Sequence, residues 1–173
     1  MGSYIGKSMK RVEDPRFIQG KGRYVANLTL PGMAYLAIKR SPYAHAKINR
    51  IDTSAAEALD GVLGVFTGQD LLNDGVGALP CGWQVPNIKI PVQYALQVDK
   101  VRHVGDRVAI VVAESPYIAY DALDLIEVDY DPLPVALGAK AAIEAGVLVH
   151  DEIAENVSYT WEIGDKAARD KAF

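Results

Sequence analysis

Residues 107–132 constrain the fold of this chain more than any other stretch. Arg107-Val108-Ala109-Ile110-Val111-Val112-Ala113 is an almost unbroken apolar run, the pattern of a strand covered on both faces. Ser115 and Pro116 follow. A serine whose hydroxyl accepts from an orphan amide, then a proline with φ already helical, mark a helix start. Within residues 117–123, Ile118, Ala119, Ala122 and Leu123 share one helical face. Ile126, Val128 and Tyr130 then alternate with Glu127 and Asp129, which predicts a half-exposed strand closed by Pro132 and Pro134. Strand, helix and strand in so short a span predict that the two strands are neighbours in one sheet.

The flanking sequence predicts shorter elements. Residues 1–32 are polar and carry Gly20, Gly22, Gly32, Pro15 and Pro31, the composition of an extended arm with turns. A strand is expected over 33–39 and a second over 47–52, where Ile48 and Ile51 break strict alternation and suggest a bulge or strand end. Ser54 and Glu57 have capping-box spacing, with Thr53 as a competing N-cap. A short helix to about Leu59, a strand over 62–67 and a helical turn over 68–72 follow. Residues 73–95 have no clear period and read as a long loop, which in a compact domain is usually functional or lies on a partner. A short strand is expected within 98–104 and helical turns at 139–145 and 167–173.

The same residues exclude several functions. A net charge of −4 with no basic block argues against nucleic acid, which needs a clustered positive stripe. One cysteine, Cys81, cannot form an internal disulfide or build a zinc or iron–sulfur site alone, and a reducing cytoplasm is its natural setting. No apolar run approaches membrane-spanning length. There is no G-K-[ST] phosphate loop and no G-x-S-x-G elbow. Asn27 and Asn156 open glycosylation sequons, which mean little without a secretory signal. His45, His103 and His150 lack metal-ligand helical spacing. His150 beside Asp151 and Glu152 could hold a metal or relay a proton, or be a solvated turn. His45 reads as a packed, hydrogen-bonded histidine. Asp121, Asp124, Glu127, Asp129 and Asp131 run across a helix and a strand and read as a solvated face. Ser8-Met9-Lys10 loosely resembles the carrier-domain M-K turn but lacks its flanking strands.

An ordered set of motifs carries a family resemblance. It comprises residues 5–8 and 10–25, Leu30-Pro31-Gly32-Met33, residues 39–48, and Gly61-Val62 with Val65-Phe66-Thr67-Gly68-Gln69-Asp70. Val101-Arg102-His103-Val104-Gly105-Asp106, residues 128–135, and His150-Asp151-Glu152 with Asn156 complete it. The set resembles the start of the large, molybdopterin-binding subunit of the xanthine dehydrogenase and aldehyde oxidase superfamily, in its carbon monoxide dehydrogenase-like branch.

That resemblance implies an α+β fold, the α/β-hammerhead, with a mixed β-sheet and short helices. It implies an N-terminal arm (1–32), a hammerhead core (33–146) and a linker (147–173) toward a molybdenum-binding domain. The parent enzyme would hydroxylate CO, an aldehyde or an N-heterocycle at molybdenum with water as oxygen source. Electrons would pass to 2Fe-2S clusters and FAD in small and medium partner subunits. The family's cofactor glycines and catalytic glutamate lie downstream, so no catalytic, cofactor-binding or metal residue is assigned here. The expectation is a truncated, proteolysed or gene-split piece, inactive alone, with structural and assembly duties. Rival readings are a small enzyme using His45, His150 or Asp151, and a carrier module modified at Lys10.

Overall fold

The computed structural model describes residues 4–144 and 146–172. Two compact units are present, Met1–Met33 and Ala34–Phe173.

In the first unit the polar arm is less extended than its composition predicts. A one-turn helix α1 (Asp14–Ile18) begins at Asp14-Pro15, and a 3-10 turn spans Val25–Asn27. Pro15 in the first turn fixes a helical φ at little cost. Arg11 Nε reaches Asp14 at 2.9 Å, and the Phe17 and Tyr24 rings stack at 5.7 Å. No residue of either short helix is buried.

The second unit is built on two three-stranded sheets. β1 (Tyr35–Arg40), β5 (Arg107–Ala113) and β3 (Val62–Thr67) form one, with β5 central. β4 (Lys100–Val101), β2 (Ala46–Asp52) and β6 (Glu127–Pro132) form the other, with β2 central. All four ladders are antiparallel. The expectation that β5 and β6 pair is therefore corrected. Both edges of β5 are taken by β1 and β3, so the chain leaving α4 (Pro116–Asp124) crosses to the other sheet and pairs with β2. The bulge anticipated near Ile48 is present as a register shift between Ile48 and Arg50.

Period-2 patterning sorts the first sheet into two faces. Ala37, Val111 and Val65 lie side by side, as do Tyr35, Ala113 and Val62. This face receives Ala119 and Ala122 of α4 and Ala56 of α2 (Ser54–Glu57), with Ile118, Leu123 and Ile126 packed around them. So many alanines let the helices sit close to the sheet, while Val111 fills the centre. The Ser115 hydroxyl accepts from the Ile118 amide at 3.2 Å, the cap expected of Ser115-Pro116. Lys39 Nζ donates to Leu123 O at 2.7 Å, adding a cationic donor at the helix C-terminus. A smaller cluster, Ala46, Val101 and Val108, packs Val108 of β5 against the second sheet.

The other short helices differ in detail from their sequence signals. Before α2, Ser54 does not cap. Its amide donates to Asp52 Oδ1 at 3.1 Å, and the Thr53 hydroxyl donates to Glu57 Oε1 at 2.6 Å. Helix α3 (Gly68–Asn73) has a capping box that was not anticipated, in which Thr67 accepts from the Asp70 amide and Asp70 accepts from the Thr67 amide and hydroxyl. Those bonds, the hydroxyl's first, hold the Asp70 carboxyl below its ordinary pKa. Residues 74–99 contain no helix or strand. α5 (Ala139–Glu144) and α6 (Lys166–Ala172) lie where helical turns were expected, and Ala145 lies outside the described residues.

Gly68 is required by close approach. A Cβ there would lie 2.6 Å from Gln97 O and 2.7 Å from Leu96 O, both backbone atoms that cannot swing aside. Gly68→Ala is expected to destabilise the chain by about 1–3 kcal/mol, the usual cost of overpacking. Gly77→Ala, where open space surrounds the Cβ, should be close to neutral in the same urea titration.

Candidate functional site

The polar centre of the second unit is the turn between β4 and β5. Asp106 is only 1% exposed. Its carboxylate accepts from Gln97 Nε2 at 3.0 Å, from the Arg102 amide at 3.0 Å and from the Arg107 amide at 3.1 Å. His103 Nδ1 stands 3.5 Å away. Gln97 in turn accepts from Arg102 at 3.2 Å, and the same guanidinium nitrogen reaches Lys100 O at 2.9 Å. Backbone bonds extend the knot, because Ser41 N donates to Asp106 O and Gly105 N to Ser41 O, both at 2.8 Å. A carboxylate that accepts three donors is a strong tie, since each bond is charge-assisted and shielded from water.

Beside this knot the segment 147–158 is laid down by two polar anchors. Lys100 has a side chain only 9% exposed, and its Nζ meets Asp151 Oδ2 at 2.8 Å. That hydrogen bond holds the Asp151 carboxyl below the usual carboxylate range. The second anchor is Asn156. Its Oδ1 accepts from Val149 N at 2.8 Å, and its Nδ2 donates to Ala142 O at 2.8 Å and Val147 O at 2.7 Å. Glu155 and Asn156 adopt φ of 58° and 56°, a conformation asparagine tolerates better than most residues. Ile153 is buried between the anchors in sequence. The segment also meets the 74–99 loop, where Lys89 N donates to Ser158 O at 2.8 Å and Trp83 packs edge-on against Tyr159 and Trp161.

The three histidines have different direct partners. His45 is buried, with Nδ1 2.7 Å from Pro134 O, as a packed histidine should be, and Nε2 buried without a hydrogen-bond partner. His103 is mostly exposed beside Asp106. His150 is largely buried, with Nδ1 3.6 Å from Glu152 Oε1, beyond hydrogen-bond distance. Burial first, then the positive charges of Arg102 and Lys100, push the His150 pKa below 6.5, against the opposing pull of Glu152. A cleft of about 430 Å³ opens here, lined by apolar Leu72, Val92 and Val98 and by charged Asp99, Arg102 and Asp151 among others.

The remaining candidates are dispersed. The Cys81 thiol donates to Trp83 O at 2.9 Å. Asp121, Asp124, Glu127, Asp129 and Asp131 lie along α4 and β6, and Glu127 is 3.6 Å from Arg50. Lys10 is exposed and stands in no hairpin. Asn156 has its amide fully engaged, which leaves none of it for glycan attachment, and Asn27 Oδ1 accepts from Tyr24 N at 3.0 Å. Among the described residues no three His, Cys, Asp or Glu side chains converge to hold a metal ion. Of the residues that organise the centre, Arg102 and Asp106 were visible beforehand only as part of a motif, Lys100 only within an expected strand and Gln97 not at all, because their partners are distant or their burial is unmarked in local pattern.

Two small sheets braced by short helices, knotted at Asp106 and overlaid by their own polar-anchored segment, define a hammerhead-type structural domain. Residues 19–134 match the family model described as "Aldehyde oxidase and xanthine dehydrogenase, a/b hammerhead domain", and the chain belongs to that family. It is 40% identical to the carbon monoxide dehydrogenase large chain of Afipia carboxidovorans, over 98% of this chain and 22% of that protein. It is 36% identical to the nicotine 6-hydroxylase large subunit of Paenarthrobacter nicotinovorans, over 88% of this chain and 19% of that one. A crystal structure of Cu,Mo-CO dehydrogenase superposes with a TM-score of 0.76 at 40% identity, covering 96% of this chain and 22% of the other. The chain thus spans about a fifth of the length of these relatives. The resemblance and the fold class read from the ordered motifs are borne out.

The His150 environment predicts an acid-sensitive overlay. A histidine whose pKa is lowered by folding contributes its stability fully above its ordinary value and loses it as pH falls below 6.5 toward the folded pKa. Unfolding midpoints of the full chain should therefore fall between pH 7 and pH 5. His150→Gln should flatten that part of the profile; an unchanged profile in the variant would assign the loss to other groups.

Proposed function

We infer that this chain is the N-terminal structural and assembly domain of a molybdenum hydroxylase large subunit. The observation that carries this reading is the hammerhead match over residues 19–134, in a chain aligned along almost its whole length with a fifth of a carbon monoxide dehydrogenase large chain. The parent reaction we propose is oxidative hydroxylation of CO, an aldehyde or an N-heterocycle, with water supplying the oxygen. Molybdopterin would supply the two-electron chemistry, and the electrons would leave through 2Fe-2S clusters and FAD on small and medium partner subunits. We place the assembly in the cytoplasm on the evidence of its single thiol; no helix among the described residues is long and apolar enough to cross a membrane.

Among the described residues no three His, Cys, Asp or Glu side chains converge as metal ligands. The Cys81 thiol stands by a backbone carbonyl, and the histidines have separate backbone or carboxylate neighbours. We therefore assign the chain no step at molybdenum. Its part is contact. Within the first unit Ile5, Val12, Ile18 and Val25 are all strongly exposed. In the 74–99 loop Val76, Leu79, Trp83 and Ile90 are exposed as well. Apolar side chains gathered on segments with little core of their own mark surfaces that another polypeptide covers. The rest of the large subunit is the partner we propose for both.

This reading predicts that the purified 173-residue chain carries no molybdenum by elemental mass spectrometry. It should also show no dye-linked oxidation of CO, aldehydes or purines. Molybdenum at near one atom per chain, or turnover above a heat-killed control, would overturn it.

A further inference from the structure

Two irregular stretches of the second unit lie against each other. None of residues 74–95 is buried, and between 147 and 161 only Ile153 is. Neither stretch contains a strand, and the 3-10 turn Ala154–Asn156 is their one helical piece. Among the described residues the backbone–backbone bonds of 79–93 stay within the loop or go to Ser158. Leu79 N donates to Gln93 O at 2.7 Å, Ile88 N to Val85 O at 3.2 Å and Lys89 N to Ser158 O at 2.8 Å. Val92 N reaches Glu152 Oε1 at 3.4 Å. Trp83 stands edge-on to Tyr159 and Trp161, with ring centroids 5.9 and 6.3 Å away. By hydrogen bonds, then, residues 79–93 are tied to the 147–161 segment, and among the described residues to neither sheet. The segment in turn meets the second sheet at Lys100 of β4, whose Nζ lies 2.8 Å from Asp151 Oδ2.

We propose that residues 79–93 and 147–161 form one strap that opens as a unit while both sheets stay closed, with the Lys100–Asp151 pair as its latch. The latch is asymmetric. The Lys100 side chain is 9% exposed and that of Asp151 76%. When the strap lifts, the carboxylate passes to water at little cost, but the ammonium stays in a largely buried place without its counter-charge. That penalty opposes opening, so one ion pair holds a segment with a single buried apolar side chain. The loop has no buried residue to offset its own chain entropy, so it follows the segment. Units of low local stability open in this way without global unfolding. Closing the strap also shapes the surface. It brings together Trp83, Tyr159 and Trp161, which are 56%, 43% and 59% exposed, from stretches far apart in sequence. The latch therefore controls whether this aromatic surface is presented. The strap does not depend on what covers that surface, so it is tested independently of the contact role inferred above.

The test is native-state hydrogen exchange read by NMR on the full chain. The Leu79 and Ile153 amides are the reporters, because each donates within its own stretch, to Gln93 O and to His150 O. In the wild type the two should open with one common free energy, below that of the β5 amides, and share one dependence on urea. Asp151→Asn should speed exchange of both by about tenfold, the scale of one charge-assisted bond, and leave β5 unchanged. Trp83→Ala, made in the other stretch, should also speed both. Unequal opening free energies for the two reporters in the wild type would overturn the proposal. So would a variant that speeds only its own stretch, or one that speeds β5 as much as the strap. If either variant fails to fold, the wild-type urea series decides alone.

Discussion

The structure of the larger unit depends on one buried carboxylate. Asp106 closes the turn that carries the chain from β4, in one sheet, to β5, in the other. Its oxygens accept from Gln97, Arg102 and Arg107, so the residues before, within and after the turn are held by one group. The cost of burying a charge is large unless several donors meet it. Here two backbone amides and a side-chain amide do so. Around this tie the apolar contribution is modest, because the facing surfaces are largely alanine and valine. Val108 of the first sheet and Ile51 and Val128 of the second join the sheets through apolar contact, and the polar tie fixes the turn that connects them.

The same logic explains why the overlaid segment 147–158 follows its course. It has one deeply buried apolar residue, Ile153, too little to order a dozen residues against their chain entropy. Lys100–Asp151 and the three bonds of Asn156 supply the remaining order. Arg102 links the two systems, bonding to Gln97 and Lys100 O on one side and lowering the pKa of His150 on the other. The site is thus an architectural centre with titratable parts, which suits a domain whose family role is carried by a longer protein.

What could be read from the sequence was local. The apolar run of β5, the Ser115-Pro116 cap, the packed face of α4 and the bulge in β2 follow from periodicity and capping chemistry, which act within a few residues. The partner of β6 did not follow, because strand pairing across a sheet is settled by which edges remain free. Ser54 lost its capping role to the Asp52 carboxylate, a stronger acceptor two residues away. The bonds of Asp106 and Asn156 reach backbone groups that no short pattern marks, so the candidate centre was visible only as motif residues without roles. Family membership was legible for a different reason: many modest matches in fixed order are collectively specific.

The claim that Asp106 makes the two sheets one cooperative body is tested most directly by native-state hydrogen exchange on the full chain and on Asp106→Asn. The substitution keeps shape and size but aims an amide donor at the Arg102 or Arg107 amide. In the wild type, the most protected amides of β2 and β6 should open with the same free energy as those of β5. In the variant, β2 and β6 should open more easily than β5 by roughly 1–3 kcal/mol, the cost of stranding a buried donor. If both sheets lose protection equally, or neither loses any, the tie does not couple them and the account is wrong.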